Sequence, residues 1–265
     1  MVDVAPARRF SGFAELYDSA RPTPPIELVD LLTGWSAVAH PDVVDLGAGT
    51  GLSTALWTGR ARSVIAVEPS ADMRERTDRR VAALPDAAAF TVVDATAEDT
   101  GLPTACADVV TASQAMHWFD ADRALPEIAR LLRPGGVFAA YDSQWPPTVD
   151  PEVDAAYAEF DRLARAEEVR RGLRPPYAAK EGHLERINRS GLFRHAEDIA
   201  VHKREDGDAE RLVAVARSQG GTVALLGAGV TEAEIGLAQL RATADRRLPS
   251  SRPWWWTYRV RLAVR

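Results

Sequence analysis

Five short apolar segments recur between residues 42 and 142, and their spacing constrains the fold more than any other feature. Several are unbroken apolar runs, which is typical of parallel strands that are buried on both faces. Helical patterns lie between them, so the order predicts a doubly wound α/β fold with a mostly parallel sheet. The segments are DVVDL (42–46), SVIAVE (63–68), AFTVV (89–93), ADVVTAS (107–113) and GVFAAYD (136–142).

Four segments of a single domain follow from this pattern. Residues 1–40 carry a helical pattern broken by RPTPP, and we expect them to form an N-terminal helical cap. Residues 41–142 hold the strand–helix alternation. Residues 143–182 form a charged helical insertion between proline pairs, predicted to be a lid over the ligand face. Residues 183–265 are expected to complete the sheet, and the alternating WWWTYRVRLAV at the end is predicted to be its last strand.

Composition narrows the classes of partner. The formal net charge of −6 argues against nucleic acids, which require a basic surface, and favours a small-molecule substrate. No apolar run approaches the roughly 18 residues of a membrane span, so no membrane partner is expected. The N-terminus lacks a secretion pattern, and the single cysteine, Cys106, suits a reducing compartment. We therefore predict a cytoplasmic monomer or homodimer.

A glycine-rich turn follows the first strand and carries the first functional signal. Asp45, Gly47, Gly49 and Gly51 form the pattern D-x-G-x-G-x-G. Glycines allow a tight turn and a close approach of ligand to backbone. A helix is expected directly after the loop, and its free N–H groups would suit polar or anionic groups of a ligand. A dinucleotide loop would have its third glycine at the position of Leu52, and a carboxylate at Asp45 would repel a pyrophosphate but accept from an ammonium group. The turn thus favours S-adenosylmethionine, which carries an amine and no phosphate.

Acidic residues end the next two strands. Glu68 follows the second strand, where a carboxylate can accept from both ribose hydroxyls. Pro69 and Met73 offer apolar surface beside an adenine ring, and Asp94 can accept from the adenine amino group. Solvated residues at strand ends are the alternative interpretation for both carboxylates.

Taken in order, five motifs resemble those of class I S-adenosylmethionine-dependent methyltransferases, in the small-molecule branch that includes ubiquinone/menaquinone-biosynthesis-like and trans-aconitate-like enzymes. The motifs are VVDLGAGTG, AVEPSADM, VVDATAEDTGLP, VVTASQAMHWFD and EIARLLRPGGVFAAYD, and the resemblance covers roughly residues 10–142. It implies a seven-stranded sheet with a reversed last hairpin. It also implies that the loop, including Ala48, holds the methionine end of the cofactor, that Glu68 holds the ribose, and that Met73, Asp94 and Ala95 hold the adenine.

The segment SQAMHWFD follows the fourth strand, where the methyl group is expected. Gln114 is predicted to border the methionine part of the cofactor. His117 is the candidate base and substrate contact, because its ordinary pKa suits proton transfer near neutrality; a histidine that only holds the loop is the alternative. Trp118 is predicted to wall the substrate pocket, with core packing as the alternative.

Further candidates come from the cap and the lid. The segment ELYDSARP matches the family's tyrosine-and-arginine segment, which implies that Tyr17 covers the methyl-transfer site as a catalytic and cofactor-binding residue. Arg21 is expected to reach the cofactor's carboxylate. A surface pair on a capping helix is the other interpretation. In the lid, Trp145 and Tyr177 are candidate substrate contacts, although aromatic residues at helical spacing more often pack.

The sequence therefore predicts an S-adenosylmethionine-dependent methyltransferase that acts on oxygen, nitrogen or carbon of a small molecule. In-line methyl transfer depends mainly on alignment and on exclusion of water, so no universal catalytic residue is expected. No metal site is predicted, because Asp142 is an isolated acid at the ends of the fourth and fifth strands. The alanine- and arginine-rich composition suggests secondary metabolism. The alternatives are a protein of the same fold that regulates or catalyses a non-methylating reaction, and a nicotinamide-dependent oxidoreductase, against which Leu52 and Asp45 count.

Overall fold

A computed structural model of the protein describes residues 20–173 and 178–265. The strands are β1 (Asp42–Leu46), β2 (Ser63–Val67), β3 (Phe90–Val93), β4 (Ala107–Ser113), β5 (Leu132–Ser143), β6 (His195–Gly207) and β7 (Arg252–Val264). The α-helices longer than seven residues in the described ranges are α1 (Glu27–Ser36), α2 (Ala71–Ala82), α3 (Ala121–Leu131), α4 (Pro151–Arg170), α5 (His183–Ser190), α6 (Ala209–Arg217), α7 (Gly220–Gly227) and α8 (Leu237–Arg247).

All seven strands form one sheet in the order β3-β2-β1-β4-β5-β7-β6. Strands β1 to β5 pair in parallel, and β7 runs antiparallel to β5. This arrangement confirms the predicted doubly wound α/β fold with a seven-stranded, mostly parallel sheet. The five strand segments predicted from their apolar runs are found within one or two residues, except that β5 begins earlier, at Leu132.

Two compact units make up the described chain. The first, here called the sheet unit, comprises residues 23–143, 178–201 and 258–265, and the second, the helical unit, comprises residues 20–22, 144–173 and 202–257. Strands β6 and β7 each continue from one unit into the other. Between β6 and β7 the chain forms helices α6 to α8 of the helical unit. The four segments stay a prediction. A lid role for residues 143–182 stays a prediction.

In the sheet unit, the core lies where β1, β4 and β5 meet α3. Fully buried members include Leu46, Val110 and Phe138 from the strands and Ile128 from the helix. Strands this apolar are buried on both faces, as expected for the centre of a parallel sheet. The core therefore fixes the carboxyl ends of β1, β4 and β5 at one edge, which is where ligands bind in open α/β sheets.

In the helical unit, alternation along the start of β7 decides which tryptophans pack. Trp254 and Trp256 are fully buried, whereas Trp255 between them is 53% exposed. This period of two is that of a strand with one buried face. It agrees with the interpretation of the segment as a packed terminal strand. Within the described residues, no helix combines the length and the apolar character that crossing a membrane would need.

Candidate functional site

The loop after β1 has three glycines with positive φ, and each meets a different environment. A Cβ on Gly47 would lie 2.7 Å from the Cβ of Ala115, and one on Gly51 would lie 3.1 Å from Thr77. A Cβ on Gly49 would have no atom within 4 Å. Gly47 and Gly51 thus permit close packing of the loop on its neighbours. Gly49 is the glycine whose backbone borders open space.

Most of the loop's backbone amides already have acceptors inside the protein. The N–H groups of Gly47 and Ala48 donate to the carbonyl of Val67, at 2.8 and 3.1 Å. The N–H of Gly49 donates to Oε2 of Glu68 at 2.9 Å. A phosphate bound here would need such amides as donors. The loop therefore suits a ligand that presents no phosphate to it.

A helix was expected directly after this loop, but the structure has only a 3₁₀ turn over Thr54–Trp57. Two residues after the turn, Gly59 has φ +68°, a conformation that does not continue a helix. The prediction that a following helix offers its free N–H groups to the ligand was therefore wrong. The ligand-facing geometry at this edge comes from the glycine loop and from Glu68.

Asp45 lies inside the protein, next to the loop. Its Oδ2 accepts from the hydroxyl of Thr54 and its Oδ1 from the hydroxyl of Thr111, both at 2.7 Å. Burial raises the pKa of Asp45 to about 6, although the hydroxyl bonds, including one from Ser53, act in the opposite direction. With no exposed surface, Asp45 has no face for a ligand amine. The predicted direct contact does not fit this geometry; Asp45 instead ties the loop to β4.

Glu68 lies where it was predicted, beside the open glycine. Its two oxygens accept from the backbone N–H groups of Gly49 and Ser70, at 2.9 and 2.8 Å. Burial raises the pKa of Glu68, and these two N–H bonds oppose the rise without cancelling it. A carboxylate oxygen has further lone pairs, so the group can also accept from ligand hydroxyls.

Arg74 is a residue that the sequence analysis missed. Its guanidinium donates to the carbonyl of Glu68 at 3.0 Å and to Oδ2 of Asp94 at 2.7 Å. Asp94 is exposed, so the arginine orients an accessible carboxylate. In the sequence, Arg74 could have been noticed because it follows Met73 directly on α2. Its partner Asp94 lies after another strand, and helical spacing does not reveal such a partner.

The remaining predicted adenine contacts differ in exposure. Pro69 is exposed at the tip of β2, and Ala95 is half-buried against the core. Met73 is almost fully buried, so most of its surface already packs inside the protein. Pro69 thus offers the most surface of the three.

Gln114 follows β4 in a backbone conformation that is uncommon for residues with a side chain. Its φ is +52°, and its N–H donates to the carbonyl of Tyr141 at 2.8 Å. The side-chain amide donates to Ser143 and accepts from Nζ of Lys180, the latter at 2.7 Å. Strained backbone of this kind concentrates at functional sites. Gln114 connects the ends of β4 and β5 to Lys180.

His117 lies on the 3₁₀ turn Met116–Trp118, close to Gln114 in the chain. Its ring centre is 5.1 Å from that of Trp118, which is half-buried. Its carbonyl accepts from the N–H of Ala178 at 2.9 Å. Nδ1 of His117 lies 3.7 Å from Oδ1 of Asp142. The histidine is therefore held on a short turn beside a carboxylate.

Asp142, at the end of β5, is the centre of a cluster of charged and polar side chains in the sheet unit. Nζ of Lys180 lies 2.9 Å from its carboxylate, Nη1 of Arg261 lies 3.2 Å from it, and Nε2 of His183 lies 3.9 Å from it. Burial alone would raise the pKa of Asp142, but the charge of Lys180, with contributions from the two histidines, lowers it below the usual range. Asp142 is thus an ionised carboxylate at the carboxyl end of the sheet.

In the sequence Asp142 was an isolated acid, and Lys180, His183 and Arg261 were not predicted as site residues. Arg261 is 119 positions from Asp142 along the chain. Only the antiparallel pairing of β5 with β7 brings them to neighbouring strands. No local motif could have signalled this.

Two predicted residues lie in the helical unit. Arg21 donates to the hydroxyl and carbonyl of Ser218, at 3.1 and 3.0 Å, and its Cζ lies 4.6 Å from the centre of the Trp145 ring. Trp145 in turn packs edge-on against Trp256. These contacts hold Arg21 and Trp145 together. Tyr17 and Tyr177 lie outside the described residues.

Comparison with known proteins identifies the central segment. Residues 44–140 match the model of a methyltransferase domain. An uncharacterized methyltransferase of Mycobacterium bovis is 41% identical over 127 residues, which are 48% of this chain and 49% of that protein. The match thus spans about half the length of this curated relative.

Solved structures extend the likeness to most of the chain. A protein of Anaeromyxobacter dehalogenans, provisionally described as a type II methyltransferase, has a TM-score of 0.66 at 29% identity, covering 92% of this chain and 97% of that one. A geranyl diphosphate methyltransferase solved in complex with S-adenosylmethionine has a TM-score of 0.52 at 15% identity, covering 91% and 85% of the two chains. At that identity the second likeness concerns the fold alone.

Proposed function

We propose that this chain, which belongs to the class I S-adenosylmethionine-dependent methyltransferases by its domain at residues 44–140 and by its sheet, methylates a small organic molecule at oxygen, nitrogen or carbon. The observation that carries the proposal is the contact between Gly49 and Glu68. An open glycine lies against a carboxylate at the carboxyl ends of neighbouring parallel strands.

The residues at this edge fit the cofactor. Gly49 leaves room for a ligand against the backbone, and Glu68 can accept from the two ribose hydroxyls. Asp94, oriented by Arg74, can accept from the adenine amino group, with Pro69 beside the ring. The backbone amides of the loop already have acceptors within the protein, so they do not need a ligand phosphate to accept from them. When bound, S-adenosylmethionine supplies a methyl carbon that its sulfonium makes electrophilic.

The chain's own contribution to the reaction is alignment and removal of a proton. Gln114 and Trp118 lie beside His117 at the end of β4 and can border the reacting groups. Holding an acceptor in line with the methyl group supplies most of the rate enhancement in such a displacement. His117 would take a proton from an acceptor that must lose one.

The acceptor is proposed to be a small molecule. In the sequence as a whole, the formal charge of −6 favours this over nucleic acid. A cytoplasmic location, a monomeric or homodimeric state and a role in secondary metabolism stay predictions from the sequence.

The first experiment measures cofactor binding by calorimetry. S-adenosylhomocysteine is titrated into the wild type, Glu68→Gln and the matched control Glu75→Gln, whose side chain pairs with Arg79 on the exposed face of α2. We expect Glu68→Gln to weaken binding about tenfold or more, because it loses a charged acceptor for two hydroxyls. The control should bind as the wild type does.

NAD⁺ is titrated in the same experiment. Binding of NAD⁺ without binding of S-adenosylhomocysteine would overturn the proposal. The acceptor class is then sought with methyl-tritiated S-adenosylmethionine and a panel of phenols, amines and carboxylic acids, with transfer of label to an organic product as the readout. Cofactor binding without transfer to any acceptor class would argue for a non-methylating role.

A further inference from the structure

We propose that Asp142 is a positioning residue that fixes the proton of His117 on Nδ1, so that Nε2 is the atom that removes the acceptor's proton. The inference rests on the proposed methyl transfer and adds to it the residue that prepares the base. The observation behind it is that one carboxylate oxygen of Asp142 lies near His117 and the other lies near His183.

Each oxygen of Asp142 faces one histidine and one permanent cation. Oδ1 lies 3.7 Å from Nδ1 of His117 and 2.9 Å from Nζ of Lys180. Oδ2 lies 3.9 Å from Nε2 of His183 and 3.2 Å from Nη1 of Arg261. The charge of Lys180 helps to hold the pKa of the carboxylate below its usual range although the group is buried. An ionised carboxylate is an acceptor only, so the nitrogen that faces it is favoured as the protonated one.

His183 cannot serve as the base. Its Nδ1 lies 2.9 Å from Nη1 of Arg186. A guanidinium only donates, so this nitrogen accepts and the proton of the neutral ring is on Nε2. Burial, with the charges of Arg261, Arg186 and Lys180, lowers the pKa of His183 to about 4 against the opposing effect of Asp142. His183 is therefore a neutral neighbour near pH 7.

His117 has a different relation to the same carboxylate. Its Nδ1 faces Oδ1, so the favoured neutral form carries the proton on Nδ1 and leaves the lone pair on Nε2. The two ring nitrogens point in different directions, so Nε2 is directed away from Asp142. The separation of 3.7 Å is longer than a hydrogen bond. Such contacts are commonly long before ligands bind and tighten in the complex.

The charges around this pair predict opposite effects for two substitutions. The negative charge of Asp142 favours the protonated form of His117. The ammonium group of Lys180 offsets part of this effect, because it lies close to the same oxygen, Oδ1. The other charged groups of the cluster come from α5, β6 and β7. They are Arg186, Asp198, Arg259 and Arg261.

The acceptor's proton moves to Nε2 of His117 while the acceptor's lone pair forms a bond to the methyl carbon. The carbon–sulfur bond breaks and its electron pair stays on sulfur. His117 then returns the proton to water, so the enzyme is unchanged after one turnover.

The test is an NMR titration of histidine imidazole nitrogens in ¹⁵N-histidine-labelled protein saturated with S-adenosylhomocysteine. A His117→Gln sample assigns the resonance of His117. In the wild type we expect the neutral form of His117 to be the Nδ1–H tautomer, which ¹⁵N chemical shifts distinguish from the Nε2–H tautomer. The opposite tautomer in the wild type would overturn the inference.

Three variants then test whether the charges of Asp142 and Lys180 set the pKa of His117. Asp142→Asn should lower the pKa of His117 by about one unit or more, because an attracting charge is lost. Lys180→Met should raise it, because the carboxylate is then less compensated. The matched control is Asp108→Asn, which removes another buried carboxylate paired to an arginine, Arg133, at the start of β4. It should leave the titration of His117 unchanged.

Failure of the inference and failure of the proposed function are distinguishable. If the protein does not bind S-adenosylhomocysteine, the proposed function fails. If it binds but His117 titrates identically in the wild type, Asp142→Asn and Lys180→Met, the positioning role is overturned. Should Asp142→Asn not fold, Lys180→Met alone decides, and an unchanged or lowered pKa of His117 contradicts the inference. Once an acceptor is identified, kcat/KM can be measured against pH. Its acid limb should move to lower pH in Asp142→Asn and to higher pH in Lys180→Met, as the pKa of His117 does.

Discussion

The backbone amide of Gly49 donates to the carboxylate of Glu68 at 2.9 Å, and this bond joins the loop after β1 to the end of β2. The same carboxylate accepts from Ser70 at the start of α2. One buried side chain thus connects a loop, a strand end and a helix start. Any ligand that recruits Glu68 also acts on the loop that borders it, because they share these bonds.

Gly47→Ala should destabilise the fold more than Gly49→Ala. Both positions have positive φ, which costs a residue with a side chain roughly 1 kcal/mol. Only at Gly47 would the new Cβ also meet Ala115, at 2.7 Å. We expect a further loss of about 1 to 3 kcal/mol from this overlap. Urea denaturation of both variants measures the difference.

The double variant Gly47→Ala, Ala115→Gly provides the control for that overlap. It should recover part of the stability lost in Gly47→Ala, because the clashing methyl group is removed while the φ penalty stays. Equal stability of the single and double variants would show that Ala115 is not the cause.

Asp45 should make the protein less stable as the pH rises from 4 to 6. Its pKa in the folded state is about 6, above the ordinary value of 3.8, so the unfolded chain loses this proton first. The stabilising contribution is complete below pH 4 and is lost as the pH passes 6. By linkage the loss is about 2 to 3 kcal/mol. Denaturation across this range should show the stability of the wild type falling relative to that of Asp45→Asn, which has no proton to lose.

His183 should act on stability in the opposite direction. Its pKa falls from 6.5 to about 4 on folding, so the unfolded chain binds the proton first as the pH is lowered. The contribution is complete above pH 6.5 and is lost as the pH falls through 4, by about 3 kcal/mol. His183→Gln should therefore lose stability less steeply than the wild type on acidification. His202→Gln, at an exposed position, is the matched control and should follow the wild type.

Asp94 should discriminate adenine from hypoxanthine. If its carboxylate accepts from the adenine amino group, the wild type will bind S-adenosylhomocysteine about tenfold or more tightly than S-inosylhomocysteine, which has a carbonyl there. Asp94→Asn should lose most of this preference, since the amide can donate to that carbonyl. Calorimetry with both ligands measures the ratio. A ratio unaffected by the substitution would remove Asp94 from the adenine site.

Much of the fold followed from local sequence features. Buried parallel strands must be apolar, and β1 and β4 were predicted at their observed bounds for that reason. The helical unit was harder to foresee, because α6 to α8 and α4 carry ordinary helical patterns that do not reveal what they pack against. In place of the predicted helix after the glycine loop there is a 3₁₀ turn, and the chain changes direction at Gly59, whose φ is positive.

What the sequence determined by itself is the conformation of the glycine loop and the placement of Glu68 at the tip of a strand. Both depend on backbone freedom and apolar periodicity over a few neighbouring residues. The tertiary structure decided that Asp45 is buried between Thr54 and Thr111, and that Asp142 faces Lys180, His183 and Arg261. Burial and charge pairing depend on which strands and helices come to lie side by side, and residues far apart in the chain meet only once the sheet is assembled.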